Sequence, residues 1–154
     1  MRWEQGRSVI DALLGTRDLE RVPASDEHAT ELIDQARKHV ASAQRIADDD
    51  PAGALQLLYD AARKALCAIL ENQGLRPTSR GGHIAVLEAV SAQIDPPMGK
   101  ALRPFDRLRR QRNDAEYPRQ ETPGIKTADV LSDIPKVEDI LDLAARVIDQ
   151  MSPY

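Results

Sequence analysis

A chain of 154 residues that is 42% apolar but has only one Phe, one Trp and three Tyr must build its core from Leu, Ile, Val and Ala. That composition excludes an aromatic-rich β-sandwich and fits amphipathic helices in a single domain, since this length buries roughly 70% of the surface an unfolded chain exposes. A net charge of −4 argues against broad nonspecific wrapping of nucleic acid, and the single cysteine, Cys67, excludes an internal disulfide framework and a Cys-based zinc site and fits a reducing compartment.

Spacings of three and four dominate the chain and period-2 alternation is scarce, so the pattern predicts a series of helices. The first, near residues 3 to 14, directs Trp3, Val9, Ile10, Leu13 and Leu14 toward a partner and stops at Gly15, and a connector to Ala24 follows. Ser25 caps the second helix, with Asp26 and Glu27 at the positive end of its dipole and Leu32, Ile33, Ala36, Val40, Ala43 and Ile46 on one face. Asp50-Pro51 reads as a cap followed by proline at the first helical position. The third helix therefore runs from about 51 to 73, with Leu55, Leu58, Ala62, Leu66, Ile69 and Leu70 inward and Gly74 as its terminator. Residues 74 to 82 read as a polar connection with three glycines, and the fourth helix, about 83 to 94, begins at His83.

The fifth helix carries an arginine cluster to Tyr117-Pro118, with Pro104 kinking it or opening its main part. Thr127 is expected to cap the sixth. There Val130, Ile134, Val137, Leu141, Ala144, Ile148 and Met151 form a four-three stripe suited to a bundle seam, with a bend expected at Pro135. The prediction is an all-α antiparallel bundle of five or six helices in one domain over 1–154, with an N-terminal helix and connector (1–24) and the bundle proper (25–151). No apolar run reaches the roughly 18 residues of a membrane span, and charge stands where a secretory signal needs apolar residues, so a soluble, cytoplasmic protein is expected.

Charge is unevenly spread. From Lys100 to Arg112 six basic residues face the single Asp106, a local +5 on a body carrying −9. On a helical wheel with Phe105 at zero, Leu108, Arg112, Glu116 and Arg109 fall within about 60° of it, whereas Arg103, Arg107 and Arg110 lie on the opposite, solvated face. A core-facing arginine needs a partner. Two readings of Arg112 stand: a pair with Glu116, one turn on, that closes the bundle end, its loss unfolding the protein; or a cleft lined with Asn113 and Glu116 that grips phosphate.

His83, after the Gly-rich connection, is either a cap-region residue or a neutral base at a helix N-terminus. Arg76 and Arg80 are either solvated or extend a basic groove with Arg109 and Arg112. His28 and His39 read as surface residues, Cys67 as a buried thiol, and neither a metal site nor a cofactor is expected.

The run Leu108-Arg109-Arg110-Gln111-Arg112-Asn113-Asp114-Ala115-Glu116-Tyr117-Pro118 resembles the signature of HEPN domains, nucleotide-binding helical bundles of prokaryotes and higher eukaryotes. So does Leu58-Tyr59-Asp60-Ala61-Ala62-Arg63-Lys64-Ala65-Leu66, followed by Gly-Gly-His before the fourth helix; the resemblance spans about residues 25 to 151. It implies a homodimer in which two motif helices face each other. It also implies a toxin–antitoxin or antiphage component that binds RNA or nucleotide phosphate, often as a metal-independent endoribonuclease encoded with a small nucleotidyltransferase. A noncatalytic module docking a nucleotidyltransferase-type antitoxin or another partner is the second reading.

The family motif is Arg, usually Asn, three further residues and His. Arg112 and Asn113 match, but Tyr117 stands at the histidine position, and tyrosine, with a reference pKa near 10, is a poor base. In a cleavage reaction Arg112 would stabilise the charged intermediate and Tyr117, Glu116 or His83 would handle protons. Arg109, Arg110, Arg76, Arg80 and His83 are the candidate RNA or phosphate contacts.

Overall fold

Gly6 sets where the first helix begins. Its φ of 77° is left-handed and a Cβ there would lie 2.5 Å from the Ala92 carbonyl, so the chain turns at Gly6 and helix starts at Arg7, four residues later than the pattern suggested. The computed structural model describes residues 3–154. In chain order they form α1 (Arg7–Gly15), β1 (Leu19–Arg21), α2 (Asp26–Ile46), α3 (Pro51–Gln73), β2 (Leu75–Pro77), α4 (Gly82–Ile94), a 3-10 turn (Gly99–Leu102), α5 (Pro104–Glu116) and α6 (Thr127–Ile148). The chain is all-α in class, as its composition demands.

Local signals account for most of the boundaries. Ser25 Oγ accepts from the His28 N–H at 3.0 Å, and Asp50 Oδ1 accepts from the Gly53 N–H at 3.0 Å with Pro51 in the first turn. Only four residues separate α2 from α3, so the two pack antiparallel. Gly74, at φ 83°, ends α3 and sends its N–H back to Glu71 and Leu70 carbonyls. Pro104 opens α5 instead of kinking it, because the preceding residues form the separate 3-10 turn.

Lys126, not Thr127, occupies the cap position of α6. Its N–H donates to Asp129 Oδ2 at 3.3 Å, freeing the Thr127 hydroxyl to donate to the Ala47 carbonyl at 3.0 Å and tie the start of α6 to the end of α2. α6 continues through Pro135, which is exposed. All seven residues of the predicted stripe are buried, although Met151 lies beyond the end of the helix, and Ile140, Leu143 and Val147 widen that face.

Two expectations change. The connectors around residues 16–24 and 74–82 are not wholly irregular, since Leu19 pairs with Pro77 and Arg21 with Leu75 in a short antiparallel ladder. Three residues are too few to show alternation. α3 is also buried on nearly every side, including Ala54, Ala61, Ala65, Ala68 and Tyr59, because α2, α4, α5 and α6 all pack on it. Small alanines let neighbouring helices approach from all directions, which makes α3 the axis of the bundle.

α4 is fastened to this axis by a reciprocal amide pair in the core. Gln73 Nε2 donates to Gln93 Oε1 at 2.7 Å and Gln93 Nε2 to Gln73 Oε1 at 3.0 Å, so two buried amides satisfy each other. This contact sets the height of α4 against α3 and so where His83 meets Tyr59.

Candidate functional site

Phe105 and Leu108 anchor α5 on α3 with no exposed surface, and one turn later the same face becomes ionic. The Phe105 ring lies 5.4 Å from that of Tyr59, which lies 5.4 Å from His83. His83 comes from the first turn of α4, after Gly81 and Gly82. Gly81 has no room for a Cβ, which would fall 2.2 Å from the Asp18 carbonyl oxygen. The Tyr59 hydroxyl and His83 Nδ1 are 2.6 Å apart. With Nδ1–H donating to the hydroxyl, Nε2 is left as a bare base; with the hydroxyl donating, Nε2 carries the proton.

Three arginines surround this pair. The Arg112 guanidinium lies 5.8 Å from the Tyr59 ring centre, and its Nη1 contacts Glu116 Oε2 at 2.6 Å. Arg109 donates through Nε and Nη2 to Asp106 Oδ1 at 3.1 and 2.9 Å. Arg63, on α3, donates through the same two nitrogens to Asp60 Oδ1 at 3.2 and 2.8 Å.

Two adjoining cavities share Tyr59, His83 and Arg112. One, of about 210 Å³, adds Gly82, Ile84, Arg109 and Asn113, and the other, of about 350 Å³, adds Gln56, Asp60 and Arg63. A larger cavity of about 800 Å³ lies away from this recess, between the 3-10 turn and α6, with Lys100, Lys136, Asp139 and Arg146 on its walls.

The electrostatics keep the central pair neutral. Burial lowers the pKa of His83, the nearby Arg63, Arg112 and Arg109 lower it further, and Asp60 opposes them. Burial pushes Tyr59 up to about 12 despite the three arginines. At neutral pH the recess therefore presents uncharged imidazole and phenol under cationic walls.

The expected site residues do not all gather here. Arg109, Arg112, Asn113 and His83 line the recess. Glu116 stands beside it through its bond to Arg112, so Arg112 is both paired and on the cavity wall. Tyr117 is 68% exposed at the end of α5 and lines neither cavity. Arg110 is on the outer face, 3.3 Å from Asp106. Arg76 is held by the buried Glu71 at 2.8 Å and Arg80 lies 3.5 Å from Asp18, and neither lines the two cavities.

Two further expectations need correcting. Arg107 is not solvated with Arg103 and Arg110, because its Nη2 reaches Asp133 Oδ1 at 2.8 Å, a carboxylate with 1% exposure on α6. His39 is half-buried, not a surface residue, with its Nε2 2.7 Å from Lys64 Nζ and 3.2 Å from Asp60 Oδ2. Sequence reasoning had no place in the site for Tyr59, Asp60 or Arg63. The Asp-x-x-Arg spacing of Asp60–Arg63 recurs at Asp106–Arg109, but it also occurs at Asp18–Arg21 and Asp34–Arg37, so spacing alone does not single out the site pairs. Among the described residues no group of three His, Cys, Asp or Glu side chains could hold a metal ion, and no helix is long and apolar enough to cross a membrane.

A family model for the HEPN domain matches residues 29–152. The chain belongs to the HEPN family. No curated protein and no solved structure matches it. Membership makes it a nucleotide- or RNA-related or defence-type module. In this HEPN chain the recess, with the Arg-Asn pair of the motif helix on one wall, is the candidate site.

Proposed function

We propose that this HEPN protein binds RNA or nucleotide phosphate at Arg109, Arg112 and Asn113 and acts as an endoribonuclease of a toxin–antitoxin or antiphage system, with His83 in the proton-handling role that the family motif gives to histidine. The observation that carries this reading is the meeting of a neutral histidine and two motif-helix arginines in one recess. Tyr59, hydrogen-bonded to Nδ1, orients the imidazole as the second group of a catalytic dyad does. Nε2 then accepts the proton of the 2′-hydroxyl as its oxygen attacks the adjacent phosphorus, and the bond from phosphorus to the 5′-oxygen breaks. Arg112 and Arg109 balance the extra negative charge of the five-coordinate intermediate. The products are a 2′,3′-cyclic phosphate and a 5′-hydroxyl, whose oxygen takes its proton from water; the His83 imidazolium returns its proton to the hydroxide so formed and is again neutral.

The test is cleavage of total RNA and tRNA in EDTA by wild type, Arg112→Ala, His83→Gln and Tyr117→Phe proteins of equal helicity. Cleavage lost in the first two variants and kept in the third supports the reading. Activity that survives His83→Gln and disappears in Tyr117→Phe would make Tyr117 the proton-handling group.

A second reading is a docking module for another copy of the chain or for a nucleotidyltransferase-type partner. Ile84, 68% exposed on the rim of the recess, favours it, because an apolar side chain there is the kind a partner covers. Absence of turnover together with a stable complex of defined stoichiometry in light scattering, lost in Ile84→Asp, would favour this reading over catalysis.

A further inference from the structure

Arg63 reaches the recess from the helix opposite the motif. The larger lobe holds Arg63 and the smaller one Arg109, with Arg112, Tyr59 and His83 at their junction. Both outer arginines are held alike. Each has an aspartate three residues earlier whose Oδ1 accepts from Nε and Nη2, so one edge of the guanidinium is fixed. Arg63 Nη1 also points one N–H toward Cys67 Sγ at 3.9 Å, a weak acceptor, which still leaves N–H groups of both guanidiniums for a ligand. Orienting these side chains beforehand lowers the entropy cost of binding.

The charge balance is also repeated. Asp60 lies against both Arg63 and Lys64, the latter at 3.1 Å, and Asp106 lies against both Arg109 and Arg110, so each cluster keeps one uncompensated positive charge. Arg112, between them, is neutralised by Glu116.

We propose that the recess is a two-phosphate site: Arg63 anchors one phosphoryl group in the larger lobe, Arg109 and Arg112 anchor another in the smaller lobe, and a nucleotide ligand with two phosphates is preferred over one with a single phosphate. The inference rests on the phosphate-binding reading above. Arg63 is then a specificity-determining residue that counts phosphates. The pair can come from a dinucleotide with a 5′-phosphate, as in an RNA strand, or from a nucleoside diphosphate.

Calorimetric titration of the full chain with pApA, ApA, ADP and AMP tests this. pApA is expected to bind about tenfold more tightly than ApA, the ratio one charge-assisted contact supplies, and in Arg63→Gln that ratio falls to about one. An Arg63-dependent preference for ADP over AMP identifies the diphosphate as the source, whereas a preference confined to the dinucleotides identifies the strand. Asp60 retains Lys64 and His39 in Arg63→Gln, so circular dichroism should report an unchanged fold. Arg63→Lys, which keeps the charge but loses the fork, should recover part of the preference. Equal wild-type affinity for one- and two-phosphate ligands, or a preference that survives Arg63→Gln, overturns the inference and leaves a single-phosphate site standing. No binding of any of the four overturns the inference and the phosphate-binding reading together.

Discussion

His83 is kept neutral by burial and by guanidinium groups that act in the same direction, and this has a measurable consequence. A base must be unprotonated, so ribonuclease activity should stay level from pH 8 down to the ordinary histidine range near 6.5 and decline only below it, as pH falls through the depressed pKa. A pH–rate profile checks this, and an acidic limb centred above pH 7 would contradict it. Arg112 gives a second prediction at this scale. Its partner Glu116 is about one-third exposed, 33% by side chain, so water replaces the lost arginine and Arg112→Ala should cost roughly 1 kcal/mol or less. Thermal unfolding should show a folded variant. The alternative that the pair closes the bundle and that its loss unfolds the protein requires a dry carboxylate, which Glu116 is not.

At the scale of elements, α5 is fastened to its neighbours by two different means. Phe105 and Leu108 supply apolar contact with α3, and Leu108→Ala should lose about 2–5 kcal/mol through the cavity it leaves. The second fastening is ionic: Arg107 reaches across to Asp133 of α6, whose Oδ2 has no hydrogen-bond partner in the structure and whose Oδ1 has Lys136 only at 3.7 Å besides Arg107. Removing Arg107 strands a buried carboxylate, so Arg107→Ala should destabilise by about 3 kcal/mol, whereas Arg110→Ala should stay within roughly 0.5 kcal/mol. Urea denaturation of the two variants makes the comparison. Equal small losses would mean that Asp133 gains water when Arg107 is removed.

For the whole molecule, His83 and His39 impose the same pH dependence. His39 is lowered first by burial and then by Lys64, against the pull of Asp60. A histidine with a folded pKa below its unfolded value leaves the unfolded chain binding more protons as pH drops, so stability falls below about pH 6.5 until the folded pKa is passed. The melting temperature should therefore be lower at pH 5.5 than at pH 7.5. Replacing both histidines by glutamine should flatten that part of the profile; an unchanged slope would assign the dependence to other groups.

Most helix boundaries were legible in the sequence because the signals that make them are local: the Ser25 and Asp50 caps, proline after a cap, Gly74 at left-handed φ, and the four-three stripe of α6 act within one or two turns. The Arg112–Glu116 pair is legible for the same reason, being one turn of one helix. Arg107 was misplaced because a helical wheel knows the direction of a side chain but not the length it spans to a neighbour such as Asp133 on another helix. The two short strands escaped notice because their pairing joins segments more than fifty residues apart. The recess belongs to the same class. Composition and periodicity determined an all-α bundle with one cationic helix. Only tertiary packing, with α3 enclosed on nearly every side and α4 set against it by the Gln73–Gln93 pair, brought Tyr59, Arg63 and His83 to that helix, since contacts between distant segments leave no periodic trace in either one.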